Sequence, residues 1–378
     1  MEINTEFDPI RPFNDSEVPE AIERLISNKD FYKVSNFFLP GKSLEEVQKT
    51  IRQVKTVEQF QSQFSNSFLE YIVNTTSDGL SSSGIEDIKG KGHLYIANHR
   101  DIILDTAFLQ SLLQKNGIAT TEITVGDNLM KNTLFSVLGK LNKVFTLYRG
   151  GGRIQMYKNA ILHSKYIHNV IRERNESLWI AQRDGRTKDG NDKTQQGLLK
   201  MLLGDRRDVS RALEELAIVP VSTSYELEPC LKGKVRETYI TKTTGEYTKS
   251  ENEDMHSVAT SVLAPKGRIH IGFGKRLNLI FKDIDEKELS NNEIIDQFVQ
   301  EIDTQIYKNY KLWPYNYLAW DIVNNSQKFS EHYTSEDKIK FEAFIKDNIK
   351  DIDGDASELN SIALNIYANP VQNKLNLD

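Results

Sequence analysis

The run His93-Leu94-Tyr95-Ile96-Ala97-Asn98-His99-Arg100-Asp101-Ile102-Ile103-Leu104-Asp105 places an imidazole between a short apolar stretch and an apolar helical pattern. A histidine where a strand ends, with a carboxylate a few residues on, is equipped to act as a general base. The acid holds the ring in one tautomer and stabilises the imidazolium that forms when a proton leaves a hydroxyl. The chemistry pointed to is proton abstraction from an alcohol. Six residues of helix rotate through roughly 600°, so His99 and Asp105 cannot share a helical face. Their pairing requires His99 on the loop before the helix and Asp105 in its first turn. Asp101 suits the N-cap of a helix running from Ile102 to about Lys115, with Asn116-Gly117 as the stop. Asp101 then reads as structural and Asp105 as the partner of the base, or the two roles are exchanged. A histidine and an acid at this spacing also arise as an ordinary loop histidine beside helix-capping carboxylates.

Three further blocks follow in order. A strand candidate over 144–148 ends in Arg149, and another over 177–181 runs into Gln182-Arg183-Asp184-Gly185-Arg186. A third, over 218–224, carries Pro220 near its start. Ligands collect at the carboxyl ends of strands in an open α/β sheet, so His99, Arg149, Arg183 and Arg186 are expected on one rim. A base beside several guanidinium forks suits an acceptor that bears both a hydroxyl and a phosphate. Gly185 allows backbone to approach such a ligand closely. Any one of these arginines, taken alone, is more commonly a surface ion-pair residue.

The elements that must position these groups alternate. Strand candidates at 94–97, 122–126, 144–148, 177–181, 218–224 and 268–273 are separated mostly by helical patterns. The fold class expected is α/β, a mixed and mostly parallel sheet flanked by helices, with an N-terminal helical region and a helical C-terminal tail. Divided by pattern, 1–85 is the N-terminal helical region, 86–290 the central domain and 291–378 the tail. Residues 75–84, rich in Ser, Thr and Gly, read as a linker.

Composition narrows the function classes. The 378 residues carry a net charge of -6, which argues against a nucleic-acid partner. A single cysteine, Cys230, excludes an internal disulfide framework and a cysteine-based metal cluster and sets a cytosolic expectation. The first twenty residues carry acids throughout and no apolar run, so no signal peptide is expected. No stretch of about 18 uncharged apolar residues is present to span a membrane. Gly41-Lys42-Ser43 is not a phosphate loop, because Asn36 stands where that motif needs glycine. Asp351-Ile352-Asp353-Gly354-Asp355 lacks the glutamate of a calcium loop, since Ile362 holds its place. No metal-ligand spacing and no Gly-x-Ser-x-Gly elbow stands out.

The four blocks, in this order, resemble the four motifs of the glycerolipid acyltransferases, a family that includes glycerol-3-phosphate and 1-acyl-glycerol-3-phosphate acyltransferases. Asn98-His99-Arg100 through Asp105 resembles the His-x4-Asp block, and the strand ending in Arg149 the second. Asp184-Gly185-Arg186 resembles the Glu-Gly-x-Arg core of the third, and Val219-Pro220-Val221 the fourth. Two departures stand out: the first block here is His-x5-Asp, and Asp184 replaces the glutamate of the third. The resemblance implies acyl transfer without a covalent acyl-enzyme. His99, oriented by Asp105, would deprotonate a glycerol hydroxyl that attacks an acyl thioester of coenzyme A or acyl carrier protein. It places Arg149, Arg183, Asp184, Gly185, Arg186 and Pro220 in substrate binding, with no metal and no cofactor beyond the thioester co-substrate. The rivals are another lipid acceptor, such as an amino-acid lipid, and a catalytically silent lipid-binding protein. The implied location is cytoplasmic, peripheral on the inner face of the cell membrane. For docking on that surface, 129–144 offers a basic amphipathic helix and 310–320 a Trp- and Tyr-rich stretch. Both segments read equally as core.

Overall fold

The computed structural model describes residues 5–39, 41–88, 90, 92–250, 253–277 and 289–377, with 36–38 described by backbone alone. Among these, seven strands form one sheet: β1 (Ser77–Ser83), β2 (Leu94–Ala97), β3 (Glu122–Gly126), β4 (Val144–Leu147), β5 (Leu178–Ala181), β6 (Val219–Tyr225) and β7 (Gly267–Phe273). Their order is β1-β7-β6-β2-β5-β3-β4. β2 to β6 run parallel, β7 is antiparallel to β6, and β1 is parallel to β7. The architecture is the mixed, mostly parallel α/β sheet that the alternating pattern predicts, flanked by helices and by helical N- and C-terminal regions.

The central strands are buried on both faces, as parallel strands covered by helices must be, and so read as continuous apolar runs. One apolar layer sits on each face. Ile96, Phe145, Ile167 and Ile180 pack beneath the helices Gln196–Leu203 and Asn291–Asn309. Tyr95, Val221 and Ile271 pack with Phe108 and Leu112 on the opposite face. The N-terminal helices build their own core, but they close it with Val137 and Leu141 of the helix Thr133–Leu141.

The segment read from sequence as a linker is instead the edge strand β1. Ser and Gly are poor strand formers, and nothing local marks them as paired. Pairing comes from β7, whose His270 ring bridges Ser81 and Ser83 through contacts of 2.9 and 3.0 Å.

His168 tests the hydrogen-ion linkage of this core. Burial, followed by the nearby Arg206 charge, pushes its pKa down to about 4 from 6.5. A folded-state value below the unfolded one means stability that is present above about pH 6.5 and lost as pH falls toward 4. His168→Leu should therefore hold its melting temperature better than the parent as the buffer is acidified through that window. Parallel Tm–pH curves for the two proteins would refute this.

Candidate active site

β2 lies between β5 and β6, and the chain turns off its carboxyl end into a loop held by side chains at every residue. Asn98 bridges two distant segments: its amide donates to Asp192 at 3.1 Å and to the Thr223 carbonyl at 3.1 Å, while its oxygen accepts from the Thr223 N–H at 2.7 Å. Arg100 is fully buried and pairs with Asp192 at 2.6 Å and Glu228 at 3.2 Å, its guanidinium 5.0 Å from the Tyr310 ring centre. Lys234 donates to the Arg100 carbonyl at 2.7 Å and also pairs with Glu228. Two cations and two carboxylates are thus neutralised out of water, the arrangement buried charge demands.

The helix starts at Leu104, two residues later than its apolar pattern suggests, because residues 101–103 form a turn. Asp101 Oδ1 closes that turn by accepting from the Ile103 and Leu104 amides at 3.0 and 2.8 Å. Asp105, in the first helical turn, reaches back to the loop. Its Oδ2 accepts from His99 Nδ1 at 3.1 Å and from the amides of Arg100 and Asp101 at 2.7 and 2.9 Å. Its Oδ1 accepts from the Tyr225 hydroxyl at 2.8 Å. Burial, and then the Asp105 charge, push the Tyr225 phenol well above its ordinary range, so it remains a donor. With Nδ1–H committed to a carboxylate, the His99 lone pair is on Nε2, the nitrogen available to a substrate proton.

His99 lines a cavity of about 700 Å³, a size suited to a small-molecule site. Ile123, Val125, Leu147, Trp179, Leu198 and Met201 supply apolar wall; Arg149, Arg183, Asp184, Gly185 and Arg186 line it as well. The loop after β5 is bound to the His99 loop, since the Thr187 amide donates to the His99 carbonyl at 2.8 Å. Arg183 Nε and Arg186 Nη1 are buried with no hydrogen-bond partner, in two residues that line the cavity. Buried guanidinium nitrogens are costly unpaired, which marks this wall as one that an anion would complete. Arg149, half-exposed at the end of β4, pairs with Asp184 across the cavity mouth. Its side chain lies against Gly126, where an added Cβ would come within 2.9 Å of Arg149 Cζ.

Several expectations change on this geometry. Pro220 does not line the cavity; it is buried in β6 opposite Ile96, and its carbonyl accepts from the Gly274 amide at 2.8 Å. Gly185 adopts a left-handed φ of 71°, and nothing lies within 4 Å of the position its Cβ would take. Neither docking segment presents its apolar face. Val137 and Leu141 are spent in the N-terminal core, and Tyr310, Trp313 and Leu318 are buried. Tyr225 was missed as a site residue. Its signal is the polar run Ser222-Thr223-Ser224-Tyr225 ending an otherwise apolar buried strand.

His163 also lines the cavity but is unsuited to take a proton. Its Nε2 accepts from the Tyr148 amide at 3.1 Å, and burial pushes its pKa down to about 4.

No family model and no curated protein matches the chain. Among solved structures, the 1-acyl-sn-glycerophosphate (LPA) acyltransferase PlsC from Thermotoga maritima is similar, at 13% identity over 75% of this chain and 94% of that one. The TM-score is 0.34, too low for the likeness to carry an argument.

Proposed function

We propose that the chain is an O-acyltransferase of phospholipid synthesis. It moves a fatty acyl group from the thioester of coenzyme A or acyl carrier protein to a hydroxyl of glycerol-3-phosphate or 1-acyl-glycerol-3-phosphate. One observation carries the reading: a histidine whose Nδ1 is held by a buried aspartate lines one cavity with Arg183 and Arg186, each of which carries a buried guanidinium nitrogen without a partner. His99 Nε2 takes the acceptor hydroxyl proton as the oxygen attacks the thioester carbonyl, and the tetrahedral intermediate expels the thiolate. The imidazolium then returns its proton to that sulfur. Arg183 and Arg186 hold the acceptor phosphate, joined by Arg149 when it leaves Asp184. The apolar wall receives the acyl chain. No nucleophilic side chain of the enzyme is required; Cys230 lies outside the cavity lining, and burial pushes its thiol up.

Labelled acyl-CoA and acyl-carrier-protein donors, offered with each phosphate acceptor and with an amino-acid lipid, test the assignment. Incorporation into neither phosphate acceptor from either donor would defeat it. Gly126→Ala adds a sharper check. The new Cβ meets Asn128 Oδ1 at 2.7 Å and Arg149 Cζ at 2.9 Å, both at the far ends of flexible side chains, so the protein should fold normally while KM for the phosphate acceptor rises several-fold. An unchanged acceptor KM would remove Arg149 from the phosphate site.

A further inference from the structure

Ten consecutive residues, 149–158, are exposed, and they include the start of the helix Arg153–His168. A helix end of this kind normally carries polar side chains. Here Ile154, Met156 and Tyr157 are 75%, 55% and 59% exposed, the densest group of exposed large apolar side chains among the described residues. At 100° per residue Ile154 and Tyr157 lie about 60° apart and Met156 about 100° beyond Tyr157, so the three form one broad apolar face over roughly 160° of the helix surface. Met156 and Tyr157 also line the cavity, which makes the tip continuous with its mouth.

Charge selects the occupant. Residues 128–172 contain eight lysines and arginines and no carboxylate, in a protein whose net charge is -6. On the exposed tip itself, Arg153 and Lys158 are both exposed and flank the apolar side chains, while Arg149 pairs with Asp184. The free amides and dipole of a helix N-terminus add positive potential at the same place. Apolar groups flanked by cations fit the boundary between acyl chains and anionic headgroups.

We infer that the first turns of the helix Arg153–His168 insert into an anionic lipid surface and seat the cavity mouth on it. The inference draws on the acyl-transfer reading for its purpose alone: a site that handles acyl chains gains from opening onto lipid. The surface itself stands on exposure and charge.

Co-sedimentation with vesicles of phosphatidylcholine, with or without phosphatidylglycerol, tests it. The full chain should pellet with the anionic vesicles and be released by salt. Arg153→Ser with Lys158→Ser should lower partitioning by about fivefold per cation. Ile154→Ser should lower it by about tenfold. None of these three residues lines the cavity, so transfer from a water-soluble short-chain acyl-CoA to glycerol-3-phosphate should not change. A chain that stays in the supernatant, or variants that pellet like the parent, would overturn the inference. So would finding that the same residues mediate self-association or bind an acidic carrier protein while vesicles are ignored. Vesicle binding without acyl transfer would instead count against the proposed function and leave the docking surface in place.

Discussion

Replacing His99 by alanine should lower kcat for acyl transfer by about 10²–10⁴-fold, the range a positioned general base contributes. The loss should come with little change in stability. Asp105 keeps three of its donors in this variant, the amides of Arg100 and Asp101 and the Tyr225 hydroxyl, so no buried carboxylate is stranded. His163 offers no rescue, because its Nε2 is already engaged by a backbone amide. Tyr225→Phe is the informative companion. Tyr225 touches Asp105 and not the cavity, so it acts as a positioning residue, and its loss should alter the pH–rate profile more than acceptor KM. A His99→Ala protein that folds like the parent and retains most of its kcat would place the base elsewhere.

The largest stability effect is expected at Arg100. Arg100→Leu leaves Asp192 without its cation and Glu228 with Lys234 alone, all out of water. Breaking a buried ion pair by removing one partner typically costs about 3–5 kcal/mol. Urea unfolding should show that loss, and Arg100→Lys should recover little of it, since one ammonium cannot reach two carboxylates and lie against the Tyr310 ring. Arg149→Ala makes the contrast, because its pair is solvent-exposed and should contribute at most about 1 kcal/mol. Equal unfolding midpoints for Arg100→Leu and Arg149→Ala would mean that the buried network is not what anchors the His99 loop. The network also explains why the C-terminal helices matter to the site. Tyr310 lies against Arg100, and the Tyr367 hydroxyl of the helix Ala356–Leu375 accepts from the Glu228 amide at 2.7 Å.

Much of the framework was legible in the chain. Strands buried on both faces announce themselves as short apolar runs, and β2 to β6 fall within one residue of their sequence-based bounds. Helical rotation allowed His99 and Asp105 to pair only with His99 before the helix and Asp105 in its first turn, which is where the structure has them. Edge strand β1 was illegible because its residues favour turns and its partner β7 is almost 190 residues away. The two docking segments were ambiguous for a related reason: an amphipathic helix reads the same whether protein or lipid covers its apolar side.

By itself, then, the sequence determined which side chains end the strands and where the helix after His99 stops, at Asn116-Gly117. Those features depend on backbone preferences and periodicities a few residues long. Only the tertiary structure decided that Tyr225 meets Asp105 across 120 residues, that Asp192 and Glu228 enclose Arg100, and that the tip at Ile154 is left uncovered. Such contacts follow from strand order and register, which bring distant segments together without leaving a local trace in either one.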